Sequence, residues 1–212
     1  MGLRAIHERP FVRQLLTLSS SVYLVWGAYI VIEPIYVRDV LHRPASTFAL
    51  LQAGFGVMLL ANSLLVARAG DRVATFRTVR ICALCCALAA PLYVGTHYLA
   101  VAFMGIALWG ASTGWLIAPR DTLLQRATPV ELHGRVLAVD SALRSWGSVV
   151  ALPLAALLTG PLGPSHAALV FAALPLVGLF ATRHSGELAE AGPRPEDAPR
   201  VDAGFVPVIP TD

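Results

Sequence analysis

The chain contains no lysine, and only 14% of its 212 residues are charged, where a soluble domain averages about 25%. With 56% of residues apolar, too little charge remains to solvate a globular surface, which argues against a water-soluble fold. Cysteine is scarce too: Cys82, Cys85 and Cys86 share one apolar segment. No second cluster exists to pair with them or complete a metal site, so they read as small core residues. No metal or cofactor is expected. The start has the positive charge of a signal peptide but no small-x-small cleavage site close behind it, so its apolar run reads as a retained first span. The absence of lysine beside abundant alanine points to a GC-rich bacterial genome, an inference about codons rather than chemistry.

What the chain has in quantity is apolar blocks of membrane-crossing length, separated by short arginine-bearing links, with a mean hydropathy of +0.66. About 20 apolar residues cross a hydrocarbon core of about 30 Å. The expected fold is therefore an all-α membrane protein of six transmembrane helices. Span one is placed at about Leu15–Val37, span two at Pro44–Ala67 and span three at Thr78–Val94. Span four is placed at Tyr98–Ala118, span five at Val136–Thr159 and span six at Ser165–Thr182. Residues 1–14 read as an interfacial amphipathic segment ended by Pro10, and residues 183–212 as a disordered, acidic, proline-rich cytoplasmic tail.

Arginines sort by side. Arg4, Arg9, Arg13, Arg68, Arg72, Arg77, Arg80, Arg120, Arg126, Arg135 and Arg183 flank one face, eleven in all, against Arg38 and Arg43 on the other. The positive-inside tendency then puts both termini in the cytoplasm of a multi-pass protein of the plasma (inner) membrane. The positive excess sits in membrane-flanking loops, so the lipid bilayer accounts for it and no nucleic-acid partner is required. Small residues recur at helical spacing, Gly110, Gly114 and Ala118 in span four and Gly147, Ala151, Ala155 and Thr159 in span five. Such stripes let helix backbones approach closely.

Polar residues inside spans are expensive and become site candidates: Glu33, Gln52, Asn62, Asp140 and Arg144. Asp140 and Arg144 stand four apart with the acid first, the favoured order for a helical ion pair. Glu33 is placed near the outer interface, within reach of water, while Gln52 and Asn62 suit interhelical hydrogen bonds. Trp26, Tyr29, Trp109 and Trp115 can line an aromatic cavity or simply pack. The run Gly110-Ala-Ser112-Thr-Gly114 matches a nucleophile elbow, and six spans with a serine in the fourth raise an intramembrane serine protease, with His166 as base. Ser112 would lie roughly 20 Å deep at 1.5 Å per residue, while His166 sits at the outer mouth of span six. A serine and its base must meet at about 3 Å, so no enzyme is expected.

The link between spans two and three carries Asp71-Arg72, and the link between spans four and five reads Pro129-x-Glu131-x-x-Gly134-Arg135-Val136. With Pro34-x-Tyr36-Val37-x-Asp39-Val40-Leu41 at the outer end of span one, these stretches make the chain resemble the carboxy-terminal six-helix half of the major facilitator superfamily, in particular drug and siderophore exporters akin to macrolide-efflux and enterobactin-export proteins. The resemblance covers nearly all of residues 2–182. It implies two three-helix repeats and an alternating-access secondary transporter. The function it implies is proton-coupled efflux of a small lipophilic or amphiphilic molecule. It also implies a cytoplasmic gate motif at Asp71, Arg72, Glu131, Gly134 and Arg135, in which charges at helix ends latch the inward face. Ala67 and Ala74 stand where that motif usually has glycines, and Thr75 and Phe76 replace its first basic residues. Since the family has twelve spans, the partner implied is an amino-terminal six-helix half or a second copy, and an inactive or partner-dependent fragment is the alternative.

Overall fold

The computed structural model describes residues 9–182. The tail expected from residue 183 and most of the expected interfacial segment lie outside the described residues. Every described element is helical. Helix α1 spans Pro10–Asp39. Pro10 occupies its first turn, where the missing N–H would have been unpaired in any case, so the proline starts the helix. Val12, Leu15 and Leu16 are already buried, so the bundle begins before the expected start at Leu15.

Helix α2 spans Ala45–Ala69 and runs into a 3-10 turn over Gly70–Val73. Helix α3 spans Phe76–Val94 and is capped by Thr75, whose side chain accepts the Thr78 N–H at 3.1 Å. Helix α4 covers Leu99–Arg126, well past the expected end at Ala118. A 3-10 turn at Val130–Leu132 leads to α5, His133–Ala181. Proline lies inside four of these helices, at Pro34, Pro91, Pro119 and four positions of α5. Membrane helices tolerate this because neighbouring groups satisfy the freed carbonyls.

At 49 residues α5 would be roughly 74 Å long if straight, over twice the hydrocarbon thickness. It is not straight. Gly163, between Pro161 and Pro164, takes φ 75° and ψ 163°, a conformation that side-chain-bearing residues rarely adopt. Contacts with α1 show that the path reverses there. A Cβ built on Gly147 would lie 3.8 Å from Leu24 N, and one on Gly27 would lie 3.1 Å from Ala151 Cβ. The first limb of α5 therefore ascends with α1. A Cβ on Gly178 would lie 3.1 Å from Ser21 Cβ, whereas Tyr29 donates to the Ala168 carbonyl at 3.4 Å, so the second limb descends.

The other close contacts also go through glycine. A Cβ on Gly110 would stand 2.5 Å from Phe55 O, one on Gly114 2.8 Å from Leu59 O, and one on Gly105 2.4 Å from Tyr93 N. Helix α4 thus presses its backbone on α2 and α3. Five apolar helical elements, counting α5 once, are long enough to cross a bilayer. Leu50, Val57, Leu60, Leu64 and Leu65 of α2 remain exposed, as do Trp146 and Leu157 of α5.

Candidate functional site

The deepest polar assembly joins α1, α4 and α5. Arg120, on α4, is 0% exposed, which is affordable only because every face of its guanidinium has a partner. Its Nη1 donates to Asp140 Oδ2 at 2.9 Å and to Asp121 Oδ1 at 2.6 Å, its Nη2 donates to Asp140 Oδ1, and its Nε donates to Ser19 Oγ at 3.0 Å. Arg144 Nη2 donates to Asp140 Oδ2 at 2.7 Å across one turn of α5 and stands 3.8 Å from Asp121. Both guanidiniums lie over the Tyr23 ring, Arg144 at 5.0 Å and Arg120 at 5.8 Å from its centroid, within cation–π range. Two arginines and two aspartates make the cluster neutral. Its two ends differ: the Arg144 side chain is 40% exposed and that of Arg120 is 0% exposed, while the buried Arg144 Nε has no hydrogen-bond partner among the described residues.

Arg120 is the residue that the arginine count misplaced. Sequence places it on the cytoplasmic flank, beyond an end of span four at Ala118, whereas the helix continues to Arg126 and buries the Arg120 side chain in the bundle. The signal available was Asp140, a buried acid in need of more than one partner, together with the unbroken helical pattern through Thr122-Leu123-Leu124.

Glu33 also differs from expectation. Instead of meeting water it is only 7% exposed, and Gln52 Nε2 donates to its Oε2 at 2.7 Å, tying α1 to α2. Asn62 donates to Met58 O at 2.9 Å within α2 and accepts from Trp115 Nε1 of α4 at 2.9 Å. The aromatic residues form packed edge-to-face contacts: Tyr29 with Trp109 at 4.4 Å between centroids, Tyr93 with Trp109 at 6.3 Å, and Trp26 with Phe55 at 6.3 Å. Ser112 donates to its own helix at Leu108 O, 2.7 Å, and His166 Nδ1 lies 3.1 Å from Leu162 O. The glycines flanking Ser112 serve the approach to α2. The three cysteines are free on one helix, and no metal-binding group occurs among the described residues.

Residues 15–209 match the family model described as Major Facilitator Superfamily. The chain belongs to that superfamily. No curated protein and no solved structure matches it. Members of the superfamily are transporters, and an all-helical bundle of apolar, membrane-length helices suits that role.

In this facilitator-superfamily chain the loop residues expected to latch the gate separate into two groups. Asp71, on the turn after α2, pairs with Arg126 at the end of α4 at 2.6 Å. Arg72, Glu131, Gly134 and Arg135 are exposed, and a Cβ on Gly134 would touch nothing. The cross-helix pair is thus Asp71–Arg126. It borders a cleft of about 170 Å³ between the ends of α2 and α4, lined by Val66, Gly70, Ala118 and Pro119 among others.

Proposed function

We propose that the chain is the carboxy-terminal half of a secondary active transporter that exports a small lipophilic or amphiphilic molecule against proton entry. The observation that carries this reading is the neutral ionic cluster set inside an apolar bundle. Intramembrane charges cost stability and mark transport pathways. Arg144 is the accessible member: its side chain is 40% exposed, so it can meet an anionic substrate group while Arg120 keeps Asp140 compensated. Asp140 and Arg144 are the substrate and coupling candidates, with Gln52 and Asn62 as interhelical polar contacts from α2 to α1 and α4. In the assembled transporter, Asp140→Asn and Arg144→Gln are expected to abolish proton-coupled efflux, with membrane levels near normal for Arg144→Gln and lowered for Asp140→Asn, which leaves the buried Arg120 without its main counter-charge. Unchanged efflux in both variants removes the site assignment, and lost expression in both assigns the cluster to folding.

Six crossings are proposed, the two limbs of α5 counting separately, and the contact pattern supports two three-helix repeats. Gly27 of α1 admits the first limb of α5 as Gly110 and Gly114 of α4 admit α2. The second limb lies on α1 as α3 lies on α4. Exchanging α1 with α4, α2 with the first limb and α3 with the second leaves this pattern unchanged. The exposed apolar faces of α2 and α5 favour dependence on a second six-helix half or another copy, so the chain alone is proposed to be transport-incompetent.

Both termini are proposed to be cytoplasmic in the plasma (inner) membrane, because with the buried Arg120 set aside ten flanking arginines remain on that side against two. A cysteine probe at Thr96 should label from outside, and one at Thr128 only after permeabilisation. The reverse pattern overturns the orientation.

A further inference from the structure

Three buried polar atoms without a hydrogen-bond partner among the described residues, Tyr23 Oη, Trp26 Nε1 and Arg144 Nε, belong to neighbouring side chains. Arg144 lies 5.0 Å above the Tyr23 ring, and Trp26 meets that ring edge-on at 6.0 Å. Tyr23 itself is only 6% exposed. Buried polar groups are nearly always paired, so three orphans on adjoining side chains call for an explanation. The guanidinium and indole nitrogens can only donate, and a phenol hydroxyl donates as readily. What the cluster lacks is an acceptor.

Arg144 offers a further donor. Its polar contacts, to Asp140 at 2.7 Å and Asp121 at 3.8 Å, are all made by Nη2. Both aspartates are also engaged by Arg120, so the Arg144 guanidinium can share its charge with a ligand. Beyond Tyr23 the same face of α1 is apolar and aromatic. Trp26, three residues on, is partly buried and meets the partly buried Phe55 of α2 edge-on at 6.3 Å. Ile30, one turn further, is 61% exposed. An accessible cation thus stands at one end of an aromatic strip, and aromatic rings favour another flat ring over an alkyl group of the same area.

We propose that the transported molecule is an organic anion carrying a flat ring, with its carboxylate or sulfonate taken by Arg144 and the Tyr23 hydroxyl and its ring laid against Trp26 and Phe55. Tyr23 Oη and Trp26 Nε1 are covered in the packing seen here, so an acceptor reaches them only as the side chains part around it. A cation gains nothing from these donors, which makes Tyr23 a residue that selects for anions. The inference rests on the transporter reading, whose substrate class it names.

The test is equilibrium dialysis of the full chain in phosphatidylcholine nanodiscs, with empty nanodiscs subtracted, against naphthylacetate, naphthylethylamine and cyclohexylacetate. Wild type should bind naphthylacetate about tenfold more tightly than either of the others. Arg144→Gln should weaken naphthylacetate about tenfold and leave the amine unchanged. Tyr23→Phe, which keeps the ring beneath the guanidiniums, should weaken both acids about fivefold and the amine not at all. Trp26→Leu should bring naphthylacetate down to the level of cyclohexylacetate. An amine bound as tightly as naphthylacetate, or naphthylacetate affinity unchanged in Arg144→Gln, overturns the inference. If Arg144→Gln fails to fold, Tyr23→Phe decides: a loss confined to the acids supports the assignment, and no loss or an equal loss for the amine overturns it. At high salt, which screens surface charge, replacing part of the phosphatidylcholine by phosphatidylglycerol should leave binding intact, and abolished binding would make a lipid headgroup the anion and overturn the substrate assignment. Binding with this mutational pattern in a chain that exports nothing, even when assembled with a second half, refutes the transporter reading and leaves the anion site standing. Export by the assembled protein without this pattern does the reverse.

Discussion

Replacing Arg120 with leucine is expected to destabilise the bundle by about 3–5 kcal/mol, the cost of breaking a buried ion pair from one side. The side chain is 0% exposed and supplies hydrogen bonds to Ser19, Asp121 and Asp140. Without it, Asp140 keeps a single guanidinium, that of Arg144, and the Ser19 hydroxyl loses its donor. Lysine should not rescue the loss, because a compact ammonium cannot reproduce the two-pronged contact with Asp140 while also reaching Ser19 and Asp121. The double variant Arg120→Leu/Asp140→Leu should recover much of the stability, since an apolar pair leaves no buried charge unmatched. Thermal unfolding in mild detergent measures this: for a chain of this length the single variant should lower Tm by on the order of 10 °C. A Tm equal to wild type would remove Arg120 from the structural core of the cluster.

Adding one methyl group at Gly105 should be nearly as disruptive. A Cβ there would lie 2.4 Å from Tyr93 N and 2.7 Å from Tyr93 Cα. These are backbone atoms, which cannot swing aside as a flexible side chain does, so the α3–α4 contact must separate. Gly105→Ala is expected to cost about 1–3 kcal/mol, the range for overpacking a well-packed core, and Gly105→Leu more. Gly56 and Gly134 are the controls, because a Cβ on either meets nothing within 4 Å. Alanine at those positions should change stability by no more than about 0.5 kcal/mol. Cross-linking between cysteines introduced on α3 and α4 should fall in yield for Gly105→Ala and stay constant for the controls. Equal yields in all three would mean that the two helices do not touch at Gly105.

The existence and order of the helices were legible because a bilayer imposes one length on every crossing segment, and blocks of that length stand out in the hydropathy. The reversal at Gly163 was legible as well: glycine and proline cluster at Gly160–Pro164, between the expected spans five and six, and that is where the backbone leaves the helical region. The ends of helices were not legible. Hydropathy falls where polar residues begin, whether those residues face water or one another. Arg120 satisfies Asp121 and Asp140 within the bundle, so α4 continues where composition suggests that it stops. Glu33 was misplaced for the same reason: its depth is set by Gln52, a residue on another helix, and no local pattern encodes that meeting. The Asp140–Arg144 contact was readable because four-residue spacing is itself a statement about geometry. The partner of Asp71 was not, because Arg126 is near it only in the folded bundle.

The placement of α1 between the two limbs of α5 has a consequence for biosynthesis. Among the described helices α1 is translated first, yet two of its polar contacts belong to residues made much later: Ser19 with Arg120, 101 residues downstream, and Tyr29 with Ala168, 139 residues downstream. At about 5–20 residues per second, α1 waits on the order of ten seconds before its last contacts can form. During that interval Ser19, Tyr23 and Tyr29 face lipid or the insertion machinery in place of their final neighbours. The order of translation therefore makes α1, the earliest made of the described helices, the last of them to complete its contacts.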